Sequence, residues 1–421
     1  MYHSRRRRVF GAASCDSVDV TNINVAYVLN YAQNYRPITL LPVIYKLFEQ
    51  ILHEKLNAWV ISENIKFPSV QQNAYQRHLG ALTASFCLQE SIFNNIEQTS
   101  KVYVATLDTN KAFDTVWLQG VFYKLFKLGI TGKMWTLLVN AHTDMASCVQ
   151  VNGIRSSSFP VRQGIRQGGV ISTWIYNLFI DELLNNLEQS GQSVKVLHHV
   201  TGNTTLADDV TLCALTPVNL QYMLDIVYRY TQQYRYKINA SKSSVITFGK
   251  KGRSAKAVQF CMGSDTIVNT DCIKHVGVHI NEQLNDKVKV QNGCCKAKAA
   301  LFSMLSIKMH PLHLNPLTSA SIISKVCIPR LLFGAELWSN LSNSDCMTLE
   351  RFLRLAAKKI QGFHVRTRTD ISLSMLGWKS IVSQIDYRKL SFLGRLCNMP
   401  NTVHAKGIFN ARLSIYIIMS R

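Results

Sequence analysis

Acidic residues are scarce in this 421-residue chain. The sequence has 25 Asp and Glu against 47 Lys and Arg, which gives a formal net charge of +22. It also lacks any run near the ~18 uninterrupted apolar residues of a membrane-spanning helix, and its N-terminus lacks the apolar core of a secretion signal. Hydrophobic residues still make up 47% of the chain, which excludes a disordered basic tail. A basic chain that builds a large core usually binds a polyanion, most often nucleic acid, and we expect no membrane insertion.

The cysteines give no sign of a disulfide scaffold or a zinc ribbon. The 11 cysteines are scattered, odd in number and include no C-x-x-C pair, which favours a reducing intracellular compartment. Residues 1–33 begin with four consecutive arginines, Arg5–Arg8, and show no clear periodicity. This segment is typical of a flexible basic extension, and a nuclear-import or nucleic-acid-binding patch is the alternative.

From residue 34 onward, hydrophobic periodicity predicts short strands interrupted by helices, which places the chain in the α+β class. Strands are predicted at 102–107, 206–214 and 244–249. Helices are predicted over 44–56, 121–128 with a glycine stop, and 175–187, and a fourth is capped by Thr216-Pro217. After about residue 285 the pattern is mostly helical and strongly basic. There, Arg351, Arg354 and Lys358 share one helix face, which is either an ordinary solvated surface or a nucleic-acid contact.

Three acids interrupt apolar stretches. Asp108 ends one predicted strand, and Asp208 and Asp209 lie in another. A carboxylate at the end of a buried strand is costly unless it is compensated, and a divalent cation is the usual compensation. A pair of Mg²⁺ ions about 3.5–4 Å apart suits in-line phosphoryl transfer. Adjacent strand residues point to opposite faces, so Asp208 and Asp209 share a direction only at a hairpin tip. Asp208 is the better candidate ligand, and a surface turn is the alternative for each acid.

Several segments, in order, resemble reverse transcriptases. LDTNKAFDTV (107–116), IRQGGVIS (165–172) and LADDV (206–210) resemble their palm motifs. NYRPITLLPVIYKLFE (34–49) and YKINASKSSVITFGK (236–250) resemble the finger opening and the post-acid segment of LINE-type, non-LTR retrotransposon enzymes. KHVGVHI (274–280) and PRLLFGAELW (329–338) resemble their primer-grip and thumb regions. The resemblance implies a right-hand polymerase, with fingers and an antiparallel palm sheet over 34–285 and a helical basic thumb over 286–421.

The resemblance also implies roles for single residues. Asp108 and Asp208 would hold two Mg²⁺ ions, with Asp209 in support and Mn²⁺ as an alternative ion. The side chain of Phe113 would exclude a ribose 2′-hydroxyl, although a core phenylalanine is the alternative. The remaining assignments are Gln167 and Gly168 against the templating pair, Lys242 near the pyrophosphate as a general acid or charge neutraliser, and Arg77 at the triphosphate. A surface lysine is the alternative for Lys242.

The expected function is therefore RNA-directed DNA polymerisation from a retrotransposon, with an RNA template, a DNA primer and dNTPs as partners and nuclear residence. Leu206, Thr173 and Ala74 depart from the family pattern, although none of them removes a metal ligand. They favour, as an alternative, a weakened remnant that binds nucleic acid without polymerising. An RNA-dependent RNA polymerase is a second alternative, against which Phe113 argues. Residues 1–33 are too short for the endonuclease of a full LINE-type protein, so we expect no cutting of target DNA.

Overall fold

The computed structural model describes residues 37–99, 101–151, 153–249, 258–307 and 309–419, and Arg5–Arg8 and the rest of the extension 1–33 lie outside this range. A six-stranded sheet forms its centre, in the spatial order β11-β12-β10-β1-β9-β8. All its neighbouring strands are antiparallel except β10 and β12, which run parallel. Its strands are β1 (Lys101–Thr109), β8 (Thr205–Leu206), β9 (Asp209–Ala214), β10 (Ile238–Gly249), β11 (Phe260–Met262) and β12 (Asp265–Asn269).

Eight shorter strands form four two-stranded sheets outside the central one. They are β2 (Met145–Ser147), β3 (Gln150–Val151), β4 (Ile154–Arg155), β5 (Phe159–Val161), β6 (Lys195–Val196), β7 (His199–Val200), β13 (Cys272–His275) and β14 (Val278–Asn281). The segment that resembles a primer grip, 274–280, forms most of the β13–β14 hairpin. Its turn at Val276 and Gly277 takes the positive φ values that a tight reversal requires.

Six helices accompany the strands up to residue 249. Their bounds are α1 (Val43–Ser62), α2 (Ala81–Gln98), α3 (Leu118–Leu128), α4 (Gly132–His142), α5 (Ser172–Gln189) and α6 (Pro217–Tyr234). Helix α5 is largely buried, because its apolar residues cover more than one face and pack between the sheet and α3 and α6. Helix α6 begins as predicted, with the Thr216 hydroxyl accepting a hydrogen bond from the Asn219 amide and Pro217 in the first turn.

After the last strand the described chain is helical. The helices are α7 (Lys287–Ser306), α8 (Pro316–Leu331), a 3₁₀ turn (Ala335–Leu337), α9 (Asn343–Gln361), α10 (Thr369–Ser374), α11 (Ile381–Cys397) and α12 (His404–Met419). Helices α7, α8 and α9 enclose a second core of their own. The predicted apolar stripe of α9 is its centre, since Leu349, Phe352, Leu353, Ala356 and Ile360 are all buried.

The structure confirms the α+β class and the predicted strands and helices, with two differences. The predicted strand 206–214 is broken into a hairpin, because Ala207 and Asp208 form the turn between β8 and β9. The predicted helix around 44–56 forms, but its first two turns are exposed and only Leu52, Leu56 and Val60 enter the main core. Among the described residues, no helix is both long and apolar enough to cross a bilayer. The ten cysteines in that part of the chain form no disulfide with one another.

Candidate active site

Two of the three predicted acids lie at the tip of the β8–β9 hairpin. Leu206 pairs with Asp209, so Ala207 and Asp208 form a two-residue turn, and Ala207 takes a positive φ of 55°. Asp208 is half-buried within the turn, whereas Asp209 is exposed as the first residue of β9. This is the one arrangement in which the sequence allowed adjacent acids to face the same region.

The third acid reaches the same edge through strand pairing. Leu107 of β1 lies opposite Val210 of β9, so Asp108 comes next to the hairpin. The Thr109 hydroxyl then donates to the Asp208 carbonyl at 3.1 Å. These contacts place the backbones at positions 108 and 208 side by side, although the residues are 100 positions apart in the sequence.

A bulge on the other side of β1 adds a further support. Between Thr106 and Asp108 the register jumps from Ser244 to Asn239, so β10 carries an unpaired stretch here. The Ser243 hydroxyl in that stretch accepts a hydrogen bond from the Asp108 amide at 3.1 Å and donates to the Asn239 carbonyl at 2.8 Å. Lys242 belongs to the same bulge and is exposed. Its backbone therefore lies beside Asp108, with its side chain open to solvent.

A chain of buried hydroxyl groups lies beneath the acids. The hydroxyl groups of Tyr176 and Tyr236 are 2.9 Å apart, and that of Tyr236 lies 2.8 Å from the Thr109 hydroxyl. Burial raises the pKa of both tyrosines, and the negative charge of Asp208 contributes to each shift. These phenols therefore stay protonated and serve as hydrogen-bond donors over the physiological pH range.

Phe113 lies over this chain. Its ring stacks on that of Tyr176, with centroids 4.8 Å apart and planes 7° from parallel, and the ring of Tyr75 meets it edge-on at 6.4 Å. Its backbone carbonyl accepts a hydrogen bond from the Ile165 amide at 2.9 Å. The side chain is half-buried, so one part packs on the core while another faces the site.

The loop that carries Gln167 and Gly168 contacts the chain at Phe113 and its neighbour Asp114. The Gln167 amide group donates to the Asp114 carboxylate at 3.0 Å, and the Gln167 carbonyl accepts from the Thr39 amide at 2.7 Å. Gly168 has a φ of +109°, and a Cβ there would lie 2.8 Å from the Thr39 carbonyl oxygen. Both the conformation and the space require glycine.

Arg166, the neighbour of Gln167, ties this loop to helix α1. Its guanidinium donates to the Tyr45 hydroxyl at 2.6 Å and to the Ala141 carbonyl at 3.0 Å, and it lies 3.8 Å from the buried Glu49 carboxylate. The other oxygen of Glu49 accepts from the Val170 amide at 2.7 Å. The loop is thus held on both sides of Gln167 and Gly168.

The segment before α2 clamps the acid hairpin from outside. The carbonyl oxygen of the Gln72 side chain accepts from the Ala207 amide at 2.8 Å and from the Ala74 amide at 3.0 Å. The Asn73 amide donates to the Thr205 carbonyl at 2.8 Å. Arg77 follows five residues after Gln72 and is exposed, so this segment brings its backbone toward the hairpin while its side chain extends into solvent.

The predicted thumb residues lie on helix α9, whose apolar face packs in the second core. Arg351 is exposed, while Arg354 and Lys358 are half-buried. The Lys358 ammonium donates to the Val365 carbonyl at 2.7 Å, and the Arg354 Nε is buried without a hydrogen-bond partner. These three residues therefore do not form a uniformly solvated face, and their contact with nucleic acid stays a prediction.

Asp108 and Asp208 are suited to bind a Mg²⁺ ion whose remaining ligands come from substrate phosphates and water. In the described part of the chain, no group of three or more His, Cys, Asp or Glu side chains is arranged to hold a metal ion. Asp108 and Asp208 nevertheless come to one edge from neighbouring strands. Mg²⁺ typically takes one or two carboxylates together with substrate phosphates and water, so a carboxylate pair suffices where a closed cage would not admit a nucleotide.

Sequence reasoning missed the residues that support the acids from a distance. Tyr176 was assigned only to the apolar face of a helix, and Gln72, Tyr236 and Ser243 were given no role. Each of them makes a contact across more than 50 residues of sequence. The available signal was chemical: a tyrosine within an apolar stripe must place its hydroxyl on a partner.

Comparison with known proteins identifies the family of this chain. The family described as "Reverse transcriptase (RNA-dependent DNA polymerase)" matches residues 26–280, which is more than half of the chain. The RNA-directed DNA polymerase from the mobile element jockey of Drosophila melanogaster is 23% identical over 357 residues, covering 82% of this chain and 38% of that protein. A Pol polyprotein from the type-1 retrotransposable element R2 of Popillia japonica is 29% identical over 226 residues, covering 53% and 31%.

The chain thus spans less than two fifths of the length of these two relatives. Among solved structures, telomerase from Candida tropicalis in complex with a fragment of telomeric RNA is 14% identical, with a TM-score of 0.40 over 86% of this chain and 56% of that one. A score of this size adds nothing to the assignment, which depends on the family match and on the positions of the three acids.

Proposed function

The chain belongs to the reverse transcriptase (RNA-dependent DNA polymerase) family, and on this premise we propose that it extends a DNA primer 3′-hydroxyl on an RNA template with dNTPs. Family membership confirms the predicted right-hand polymerase class, with a palm sheet and a helical C-terminal region. It also confirms the predicted relationship to non-LTR retrotransposon enzymes. The reaction itself is proposed here for this chain.

The observation that supports the proposal is the β1–β9 pairing. It brings Asp108 beside the hairpin tip that carries Asp208 and Asp209, so half-buried Asp108 and Asp208 lie at the same end of two neighbouring strands. Reverse transcriptases generally use divalent metal ions. We propose that Asp108 and Asp208 hold two Mg²⁺ ions, with Asp209 in support, and that Mn²⁺ can replace them. The ions would activate the primer hydroxyl and stabilise the leaving pyrophosphate.

The protein's own groups orient the nucleotide. We propose that the Phe113 ring, held on Tyr176, excludes a ribose 2′-hydroxyl. The loop of Gln167 and Gly168 is held in place by Thr39 and Asp114, and we propose that it lies against the templating pair. Exposed Lys242 and Arg77 are free to reach phosphate groups, and we propose that they neutralise the triphosphate.

The chain's charge supports the proposed partners. A net charge of +22 favours binding to the phosphates of an RNA template and a DNA primer, with an affinity that falls steeply as salt rises. We expect the RNA·DNA hybrid to be recognised by shape more than by sequence. Arg351, Arg354 and Lys358 are proposed contacts on helix α9.

Primer extension tests the proposal. Purified protein is incubated with poly(rA)·oligo(dT), dTTP and Mg²⁺, and incorporation is compared between wild type, Asp208→Asn and Asp225→Asn. Asp225 is an exposed acid on α6 whose carboxylate accepts a hydrogen bond from the Gln221 side chain, which makes it a matched control. We expect Asp208→Asn to lose roughly 10²-fold or more in rate, because a metal ligand contributes several kcal/mol. Asp225→Asn should behave as wild type.

Other results would contradict parts of the proposal. Incorporation that survives Asp208→Asn would refute the ligand assignment. A preference for UTP over dTTP would refute the role of Phe113 and indicate an RNA polymerase. Tight binding of the hybrid without any incorporation would indicate the silent, nucleic-acid-binding remnant instead.

A further inference from the structure

Tyr176 is the main support of the Phe113 ring. It lies on α5, fully buried, and presents its face to Phe113 in a nearly parallel stack at 4.8 Å. Parallel rings at this separation are in full van der Waals contact, so Phe113 cannot move toward the core while Tyr176 is in place.

The hydroxyl of Tyr176 begins a chain with a fixed direction. A carbonyl oxygen can only accept, so the Thr109 hydroxyl uses its one proton on Asp208. The contact between Tyr236 and Thr109 at 2.8 Å must then be donated by Tyr236. The contact of 2.9 Å between the two phenols must likewise be donated by Tyr176. Three protons therefore align from Tyr176 to the Asp208 carbonyl.

The whole chain is shielded from water. Tyr176, Tyr236 and Thr109 are 0%, 1% and 8% exposed, so a hydroxyl that lost its partner here would have no water to replace it. Buried hydrogen bonds of this kind fix geometry, because an unpaired member is costly. The ring angle of Tyr176 is therefore determined by the position of the Asp208 turn.

We infer that Tyr176 is a positioning residue for sugar selection. Its ring fixes the position of the Phe113 ring. Its hydroxyl connects that position, through Tyr236 and Thr109, to the turn that carries Asp208. Tyr176 alone then fixes the position of Phe113 relative to Asp208. This inference rests on the proposed polymerase function and deepens it.

The test compares two substitutions at Tyr176 with a matched control. Tyr176→Leu removes the stacked ring, and Tyr176→Phe keeps the ring but removes the hydroxyl. Phe248→Leu is the control, because Phe248 is equally buried but packs in a core cluster separate from that of Tyr176 and Tyr236. The values of kcat and KM for dTTP and UTP on poly(rA)·oligo(dT) give the discrimination ratio of each variant.

We expect Tyr176→Leu to lower the preference for dTTP over UTP by roughly tenfold, the upper range for loss of one aromatic pair. The change should come mainly from a lower KM for UTP, because space opens beside the 2′-hydroxyl. Tyr176→Phe should keep most of the discrimination, and Phe248→Leu should keep all of it despite a similar loss of stability. A general loss of packing would instead lower kcat for both nucleotides.

Tyr236→Phe provides an independent variant in case Tyr176→Leu does not fold. It keeps both rings and breaks the hydroxyl chain, and we expect a smaller fall in discrimination, about twofold. Unchanged discrimination in the folded Tyr176 and Tyr236 variants, or an equal loss in Phe248→Leu, would overturn the inference while leaving the polymerase function intact. A wild-type chain that incorporates neither nucleotide would overturn the proposed function and this inference together.

Discussion

Arg412 is expected to hold the last helix of the chain onto the region that carries the candidate active site. Its guanidinium donates from α12 to three side chains on α2: Glu90 at 2.9 Å, Glu97 at 2.8 and 3.1 Å, and Asn94 at 3.2 Å. The partners are more than 300 positions away in the sequence. Substituting Arg412 with alanine should release α12 from α2.

The magnitude follows from the exposure of the three charges. Arg412, Glu90 and Glu97 have side chains that are 19%, 24% and 48% exposed. Removing one member of a fully buried ion pair costs about 3–5 kcal/mol, because the other charge stays buried without a partner. An exposed ion pair contributes about 0–1 kcal/mol. This intermediate network should therefore contribute about 2 kcal/mol, which corresponds to roughly a 30-fold rise in the local opening constant of α12.

Native-state hydrogen exchange on the intact chain measures this opening, because it resolves the protection of α12 from that of the rest of the protein. Arg368→Ala is a matched control: Arg368 and Asp370 form an equally short ion pair, 2.6 Å, but both side chains are more than half exposed. We expect that control to leave exchange unchanged. Unchanged protection of α12 in Arg412→Ala would refute the assignment of Arg412 as its main attachment.

The pH dependence of the stability loss in Arg412→Ala provides a second test of the same prediction. Burial raises the pKa of Glu90, and Arg412 opposes that shift, so removing Arg412 should raise the pKa further. A carboxyl group with a raised folded-state pKa destabilises the folded state once it ionises. The deficit of Arg412→Ala should therefore be largest near pH 7.5 and should shrink as pH falls through the raised pKa toward the unfolded value near 4.5.

Further predictions concern the core, the site and localisation. Lys124→Met should lower the free energy of unfolding by about 2–3 kcal/mol, measured by denaturant titration, because the buried ammonium lies 2.8 Å from Glu182 and its loss leaves that carboxylate with the Tyr234 hydroxyl and the more distant Lys127 ammonium. Gly168→Ala should lower both primer extension and the thermal midpoint, because the new Cβ would meet the Thr39 carbonyl oxygen in a backbone conformation that disfavours alanine. Gln72→Leu should lower kcat in primer extension by roughly tenfold, because the Ala207 amide would lose its buried acceptor. Replacing Arg5–Arg8 with alanine should move a fluorescent fusion out of the nucleus if these arginines direct import.

The sequence predicted the local elements of the site better than their mutual contacts. The strand ending at Asp108, the helix capped by Thr216 and the apolar stripe of α9 are local patterns, and the structure has all three. The bulge opposite Asp108 has no local signal, because it depends on how β10 meets β1. Periodicity also did not predict the exposed start of α1, since an apolar face indicates a helix without indicating what covers it.

The position of Asp208 shows why these unpredicted contacts matter for function. A two-residue turn is too short to fix a carboxylate by itself, and here its backbone is held by groups from two other parts of the chain. Gln72 binds the Ala207 amide from the segment before α2, and Thr109 binds the Asp208 carbonyl from β1. Tyr236 fixes the Thr109 hydroxyl in turn. Under the proposed chemistry, substituting any of these three residues should change the Mg²⁺ dependence of primer extension. The effect should be as strong as that of substituting a nucleic-acid-binding residue on the affinity for template. The Mg²⁺ concentration for half-maximal primer extension should therefore rise in Thr109→Val, and an unchanged value would show that the carboxylates set the metal site without this support.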